Sequence, residues 1–370
     1  INGFIAVFLQ SKGLSNTEIG IVTGGSCVAT IFLSPFMSSL ISKIKGMTIK
    51  KLMTFLMLTT VLLYIVMAFL PIPAFLVMIF YVIMYALNMS TVPMLTMIAM
   101  NYINEGTYVN FGLARGIGSA SWATSALVFG QVVSFLGANI LSIAYCVFAL
   151  VTLFILYHLP ESKITKTKTE EVQEEGSVVT VIKKYKIFFF LLLGFCFMFS
   201  GATAIGTYLI NIVKSLGGNT SLYGVAMFAM AFSELPVMMT VPKLMKKFNS
   251  VTLILVASIF YICHNYTIGL APNLIVLIIG MMFQGLSYGL FTGVITYYVT
   301  YNLDTQDQMS GQTMIGIMTS GIGSTLGNVL GGILQDTIGL NALFTFVYLM
   351  TALGAGIIFI CKFVSVKVKK

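Results

Sequence analysis

Long apolar runs separated by short polar breaks set the pattern of this chain, and the runs predict helices at 1–10, 18–42, 50–70, 73–100, 110–136, 139–158, 187–213, 220–243, 251–270, 273–300, 311–335 and 340–362. A bilayer core about 30 Å thick requires about 20 apolar residues per helix, and all but the first run reach that order of length. Lipid leaves the backbone only helices or closed barrels. Continuous apolar runs without period-two alternation select helices. The opening run, INGFIAVFLQ, is the tail of a span, so the chain as given is expected to begin inside its first helix.

Composition agrees with this pattern. Of the 370 residues, 58% are hydrophobic and 8% are charged, whereas soluble domains carry roughly 25% charged residues. Most of the positive charge falls in alternate breaks: Lys43, Lys45, Lys50 and Lys51, then Lys163, Lys166, Lys168, Lys183, Lys184 and Lys186, then Lys243, Lys246 and Lys247, and finally the tail from Lys362 to Lys370. The opposite breaks hold only Lys12 and Lys214. The positive-inside rule makes the first set cytoplasmic, which predicts a multi-pass protein of the cell membrane with both termini cytoplasmic. The net charge of +9 is therefore a topology signal, and nucleic acid is not an expected partner.

Residues 161–186 break the apolar rhythm with mixed charge and are too polar to bury. They divide the chain into a first six-helix half (1–158), a cytoplasmic linker (159–186) and a second six-helix half with a short basic tail (187–370). The halves repeat each other. SKGLSNTEIGIV from Ser11 recurs in outline as SLGGNTSLYGVA from Ser215, an offset of 204, and GIGS recurs at Gly116 and Gly321, an offset of 205. Parallel six-helix copies place a substrate cavity between them at the midplane and let the halves rock around it. Gly112 with Gly116, and Gly323, Gly327 and Gly331, are spaced four apart, so each set lines a helical face suited to close packing.

Little in this sequence suits catalysis. The five cysteines, Cys27, Cys146, Cys196, Cys263 and Cys361, lie inside predicted spans without ligand spacing and read as buried free thiols. His158 and His264 lack the partners of a metal site. GxxxxGK[ST] is absent, which argues against ATP-driven pumping by this chain. The expectation is a non-enzymatic transporter without cofactors, working as a monomer on a small molecule.

Twelve predicted helices in two similar halves, with lysine-rich turns at Ser42–Gly46 and Lys246–Asn249, resemble the major facilitator superfamily. The turns depart from the superfamily pattern, because Ser42 and Lys246 stand where it carries an aspartate. Within that superfamily, FGLARGIGSASWA from Phe111 is similar to the fifth-helix segment of the lactose-permease-like oligosaccharide:proton symporters. The resemblance implies that Arg115 binds sugar hydroxyls and that Trp122 stacks on the sugar ring. Their spacing of seven puts both on one face about 10 Å apart. The proton-handling residues of that branch are not matched: His264 stands at its ninth-helix arginine, Gln284 and Ser287 at its tenth-helix histidine and glutamate, and Met97 near its fourth-helix carboxylate.

Candidate coupling residues follow from the acidic inventory. Of eleven Asp and Glu residues, only Glu234, in AFSELPVMM, lies well inside a predicted span. A carboxylate there is costly as an anion and binds a proton readily, so Glu234 is the expected proton carrier, exchanging charge with His264. Asn88, Gln284 and Tyr288 are further candidates for the cavity wall, and Gln284, Tyr288 and Thr292, four apart, form one polar stripe. Proton-coupled uptake of a sugar or oligosaccharide is the leading expectation, with proton-antiport efflux of amphipathic compounds or nucleoside:proton symport as alternatives.

Overall fold

The computed structural model describes residues 2–44, 47–107, 111–160 and 178–367, without the side chains of 2, 34–35, 38–43, 104, 111–113, 115–116 and 365–367. All regular structure among these residues is helical. The first part of the chain forms α1 (Ile5–Ser11), α2 (Asn16–Lys43), α3 (Ile49–Phe69), α4 (Ala74–Asn104), α5 (Phe111–Leu136) and α6 (Ile140–His158). The second forms α7 (Val178–Lys184), α8 (Lys186–Ser215), α9 (Thr220–Lys247), α10 (Ser250–Gly269), α11 (Leu274–Met282), α12 (Leu290–Asn302), α13 (Thr305–Gly316), α14 (Ser324–Thr337) and α15 (Leu340–Lys367). Eleven of the described helical segments are long and apolar enough to cross a membrane.

Local chemistry sets the helix ends. Thr48, Asn219, Asn249 and Asn273 cap α3, α9, α10 and α11 by accepting a bond from a first-turn backbone N–H. Ser15 and Glu18 form a capping box at the start of α2: Glu18 Oε2 accepts from the Ser15 N–H at 2.8 Å, and Ser15 Oγ accepts from the Glu18 N–H at 3.2 Å. The turns before α2 and α9 are repeat partners, and each reverses the chain at a left-handed glycine, Gly13 (φ +84°) and Gly217 (φ +78°).

Two expected spans are more complex than an apolar run reveals. The run 273–300 is α11 and α12 joined through a π-helical turn, Gly285–Gly289. The run expected at 311–335 starts earlier, at Thr305, and carries a second π-helical segment, Ile317–Gly323, between α13 and α14. A π turn adds a residue to the helical repeat and rotates everything beyond it.

The cores reveal the shape. One apolar cluster joins both parts of the chain, from Phe8, Ile19, Tyr64 and Tyr81 to Ile205, Tyr208, Tyr223 and Leu277, at the lysine-poor end of the bundle. At the lysine-rich end the core divides in two. One cluster, around Leu52, Leu56 and Met94, belongs to the first part alone; another, around Phe195, Ile254, Tyr261 and Phe291, belongs to the second. Among the described residues the two parts are therefore fused at one end and have separate cores at the other. They meet chiefly where α2 crosses α14 and α5 crosses α9.

Glycine makes these crossings tight. A methyl group at Gly20 would lie 2.4 Å from the Asn328 carbonyl oxygen, and one at Gly130 would lie 2.7 Å from the Gly224 Cα. The expected glycine face of α14 packs on α8, since a Cβ at Gly327 would meet the Ser200 carbonyl and one at Gly331 would meet Tyr208 and Ala204. Gly112 and Gly116 lie outside the residues with described side chains. All five cysteines are free thiols, buried or half-buried.

Candidate functional site

A cavity of about 980 Å³ lies between the two parts. Its wall is assembled from α4 (Val92, Leu95, Thr96), α5 (Gly118, Ser119, Trp122), α8 (Phe199, Thr203, Thr207), α9 (Met227, Met230, Glu234) and the α11–α12 junction (Gln284, Tyr288). Four residues singled out in the sequence, Trp122, Glu234, Gln284 and Tyr288, therefore share one space. Trp122, far from the chain ends of its helix, is 39% exposed, because it faces the cavity while its ring edge comes near Gly3.

Glu234 is held by an unusual neighbourhood. The Gln284 side chain lies beside its carboxylate, and among the described lining residues there is no basic side chain. The π turn makes this pairing possible. Gly285 presses directly on the Ser233–Glu234 backbone, with a hypothetical Cβ only 2.1 Å from the Ser233 carbonyl oxygen, whereas one at Gly289 would make ordinary contact, 3.6 Å from the Glu234 Cα. The Gly285 N–H also donates to Ser233 Oγ at 3.0 Å. The buried Oε1 of Gln284 has no protein partner.

Tyr288 stacks on Phe199, with ring centroids 5.5 Å apart, and forms an aromatic wall across from Trp122. The expected Gln284–Tyr288–Thr292 stripe is not continuous. Gln284 and Tyr288 line the cavity, but beyond the π turn Thr292 does not, and its hydroxyl donates to the Tyr288 carbonyl at 2.8 Å.

Two further candidates lie elsewhere. Asn88 Nδ2 donates to the Tyr145 hydroxyl at 3.0 Å, and that hydroxyl donates to Thr60 Oγ1 at 2.7 Å. This chain ties α4, α6 and α3 together, away from the cavity wall. His264 is buried, and its Nδ1 lies 2.9 Å from the Gly280 carbonyl. A carbonyl can only accept, so Nδ1 carries the proton and His264 pins α10 to α11. Arg115 sits on the first turns of α5, but its side chain lies outside the described residues.

Several cavity residues carried no signal in the sequence. Thr96, Phe199, Thr207, Met227 and Met230 read as ordinary helix interior, and only the meeting of five helices brings them to one wall.

The comparison with known families decides what kind of molecule this is. A model of the MFS_1 like family matches residues 1–346. The chain belongs to this family. It is a major facilitator transporter, with the all-helical membrane fold of that superfamily. It is 22% identical over 273 residues to a maltose permease of Geobacillus stearothermophilus, a match covering 74% of this chain and 68% of that protein. The crystal structure of a mutant of the nucleoside transporter NupG superimposes with a TM-score of 0.82 at 13% identity, covering 97% of this chain and 94% of that one. A D-xylose-proton symporter superimposes with a TM-score of 0.68 at 14% identity, covering 97% and 91%. At such identities the structural likenesses define the fold.

Proposed function

We propose that this transporter carries a sugar or oligosaccharide into the cell by alternating access, coupled to protons. The observation that carries the reading is the convergence of Trp122 and Glu234, one from each part of the chain, on a single cavity. Trp122 supplies an apolar face for a sugar ring, and Arg115, seven residues earlier on the same helix, supplies donors to its hydroxyls. Glu234 supplies acceptors from the other side of the cavity. The likeness to a maltose permease supports this substrate class.

Glu234 is the proton carrier in this reading. Its surroundings offer one amide and an otherwise largely apolar wall, so a neutral, protonated carboxyl is the form that crosses the membrane interior at least cost. His264, committed to Gly280, takes no part. The lysine distribution supports a cytoplasmic-membrane protein with both termini cytoplasmic. On that orientation the cores divided at the lysine-rich end correspond to an inward-facing state of a monomer whose halves are 1–158 and 187–370.

A second reading, nucleoside:proton symport, is favoured by Phe199 and Tyr288 opposite Trp122, which would sandwich a flat base. The discriminating experiment is titration of the purified protein with maltose, xylose, uridine and an amphipathic drug while following the fluorescence of Trp122, the sole tryptophan. A saturable change with maltose, lost in Arg115→Ala, supports sugar uptake. A response confined to uridine or the drug overturns it.

A further inference from the structure

The lysine-poor end, where the two parts are fused, holds a polar contact unlike the surrounding apolar core. Asp336, one residue before the end of α14, reaches across to the start of α2. Its Oδ2 accepts from the Thr17 N–H at 2.6 Å, and its Oδ1 accepts from Asn16 Nδ2 at 2.8 Å and from the Asn16 N–H at 3.3 Å. The first four N–H groups of a helix have no partner within it. In α2 the capping box takes those of Ser15 and Glu18, and the two left over, on Asn16 and Thr17, are taken by a carboxylate from the other part of the chain.

The network around this contact is closed. Asn211 donates to Asn16 Oδ1 at 2.8 Å and to Gln335 Oε1 at 2.9 Å, and accepts from Gln10 at 2.8 Å. The Tyr208 hydroxyl lies between the Asn16 and Asn328 carbonyls, at 3.0 and 2.8 Å. Tyr208 is placed there by a break in α8, where its own backbone leaves the helical region (φ −101°, ψ 15°).

The internal repeat gives the contact a mate. Ser221 lies 204 residues after Thr17, and Asp336 lies 205 after Gln131, the same offsets that relate the repeated motifs. Ser221 Oγ donates to Gln131 Oε1 at 2.6 Å, joining α9 to α5 as Asp336 joins α14 to α2. One crossing is thus closed by a neutral amide and a hydroxyl. Its counterpart is closed by an anion on a helix N-terminus, where charge-assisted bonds and the helix dipole add.

We infer that Asp336 is the principal latch of the lysine-poor mouth, holding it shut through the α2 N-terminus, and that Gln131–Ser221 is its weaker repeat-related partner. The inference rests on the alternating-access reading above but not on any substrate. Release of this latch frees the α2–α14 crossing first, so the mouth opens asymmetrically.

The test is a distance measurement between spin labels at Leu70→Cys and Leu270→Cys, exposed positions in the α3–α4 and α10–α11 turns, in full-length protein with its native cysteines replaced. Asp336→Asn keeps the shape but removes the charge, and should raise the population of longer distances roughly tenfold over the parent, as expected for losing charge-assisted bonds. Asn16→Pro, which suits a first helical position and removes both Asn16 donors while leaving the carboxylate, should act in the same direction. Gln131→Ala should shift the population less. Distributions of Asp336→Asn and Asn16→Pro that superimpose on the parent's overturn the latch, and a Gln131→Ala shift as large as that of Asp336→Asn overturns the asymmetry. Adding maltose to the parent tests the transport reading separately, because the latch stands or falls on the variants alone.

Discussion

Adding one methyl group at Gly285 should damage this transporter more than adding one at Gly289, four residues on. A Cβ at Gly285 would lie 2.1 Å from the Ser233 carbonyl oxygen and 2.6 Å from its carbon. Ordinary contact begins near 3.4 Å, so α9 and the π turn must separate by about 1.3 Å locally (3.4 against 2.1 Å). Both contacting atoms are backbone and cannot rotate away. Overpacking of this kind costs about 1–3 kcal/mol, and the separation also stretches the 3.0 Å bond from Gly285 to Ser233 Oγ. Gln284 moves with the turn and withdraws from Glu234. A displacement near 1 Å in a positioned pair lowers rates by roughly 100-fold, so Gly285→Ala should lose most of its coupled uptake and unfold at lower temperature in detergent. At Gly289 the nearest atoms would be 3.6 to 3.7 Å away, so Gly289→Ala should leave stability and uptake close to those of the parent. Paired thermal unfolding and proteoliposome uptake measure both effects. Equal behaviour of the two variants would refute the argument that the π turn is pressed onto Glu234.

Other consequences can be checked more briefly. Glu234→Gln should abolish accumulation against a gradient while sparing exchange down one, measured with labelled maltose in proteoliposomes; undiminished accumulation removes Glu234 from coupling. Lys184, bonded to Asp304 at 2.6 Å and to the buried Asp307 at 2.7 Å, fastens α7 to the start of α13. Lys184→Met should therefore speed hydrogen exchange across 178–184 without changing α10, and unchanged protection there would deny the attachment any role. The pH dependence has a definite sign. The bond from Lys184 holds the Asp304 carboxyl below its ordinary range, so this contribution is complete above the ordinary carboxylate value and is lost as pH falls through the lowered one. On the alkaline side Asp304 and Asp307 raise Lys184, so the attachment should outlast an ordinary lysine as pH rises.

The spans were legible because lipid imposes a length and a composition that any helix crossing it must meet. Trp122 and Glu234 were legible for the converse reason, each being costly or unusual where it stands. What apolar runs cannot report is a change of helical pitch, since an apolar side chain such as Leu286 satisfies lipid equally well in an α or a π turn. The Gln284–Tyr288–Thr292 stripe failed for that reason. Asn88 and His264 show a different limit: a polar side chain inside a span signals that it must be satisfied, and Tyr145 and the Gly280 carbonyl satisfy them without a ligand. The latch could have been found, because the repeat offset of 205 that pairs Gly116 with Gly321 also pairs Gln131 with Asp336. Polar residues at helix ends are common enough that neither drew notice alone.

The crossing of α5 and α9 at Gly130 and Gly224 is made of backbone against backbone, and this affects how the transporter spends time between states. Such a contact has no rotamers to reset, so parting the helices frees almost no side-chain motion and rejoining them freezes almost none. What remains is dispersion between closely fitted atoms, which loses a quarter to a half of its strength over a gap of roughly 0.5–1 Å. A surface with that force law behaves as a snap rather than a spring. It resists small excursions, yields abruptly, and re-forms in the same register on every cycle, so partly parted arrangements are sparsely populated and the molecule spends its time at the ends of its motion.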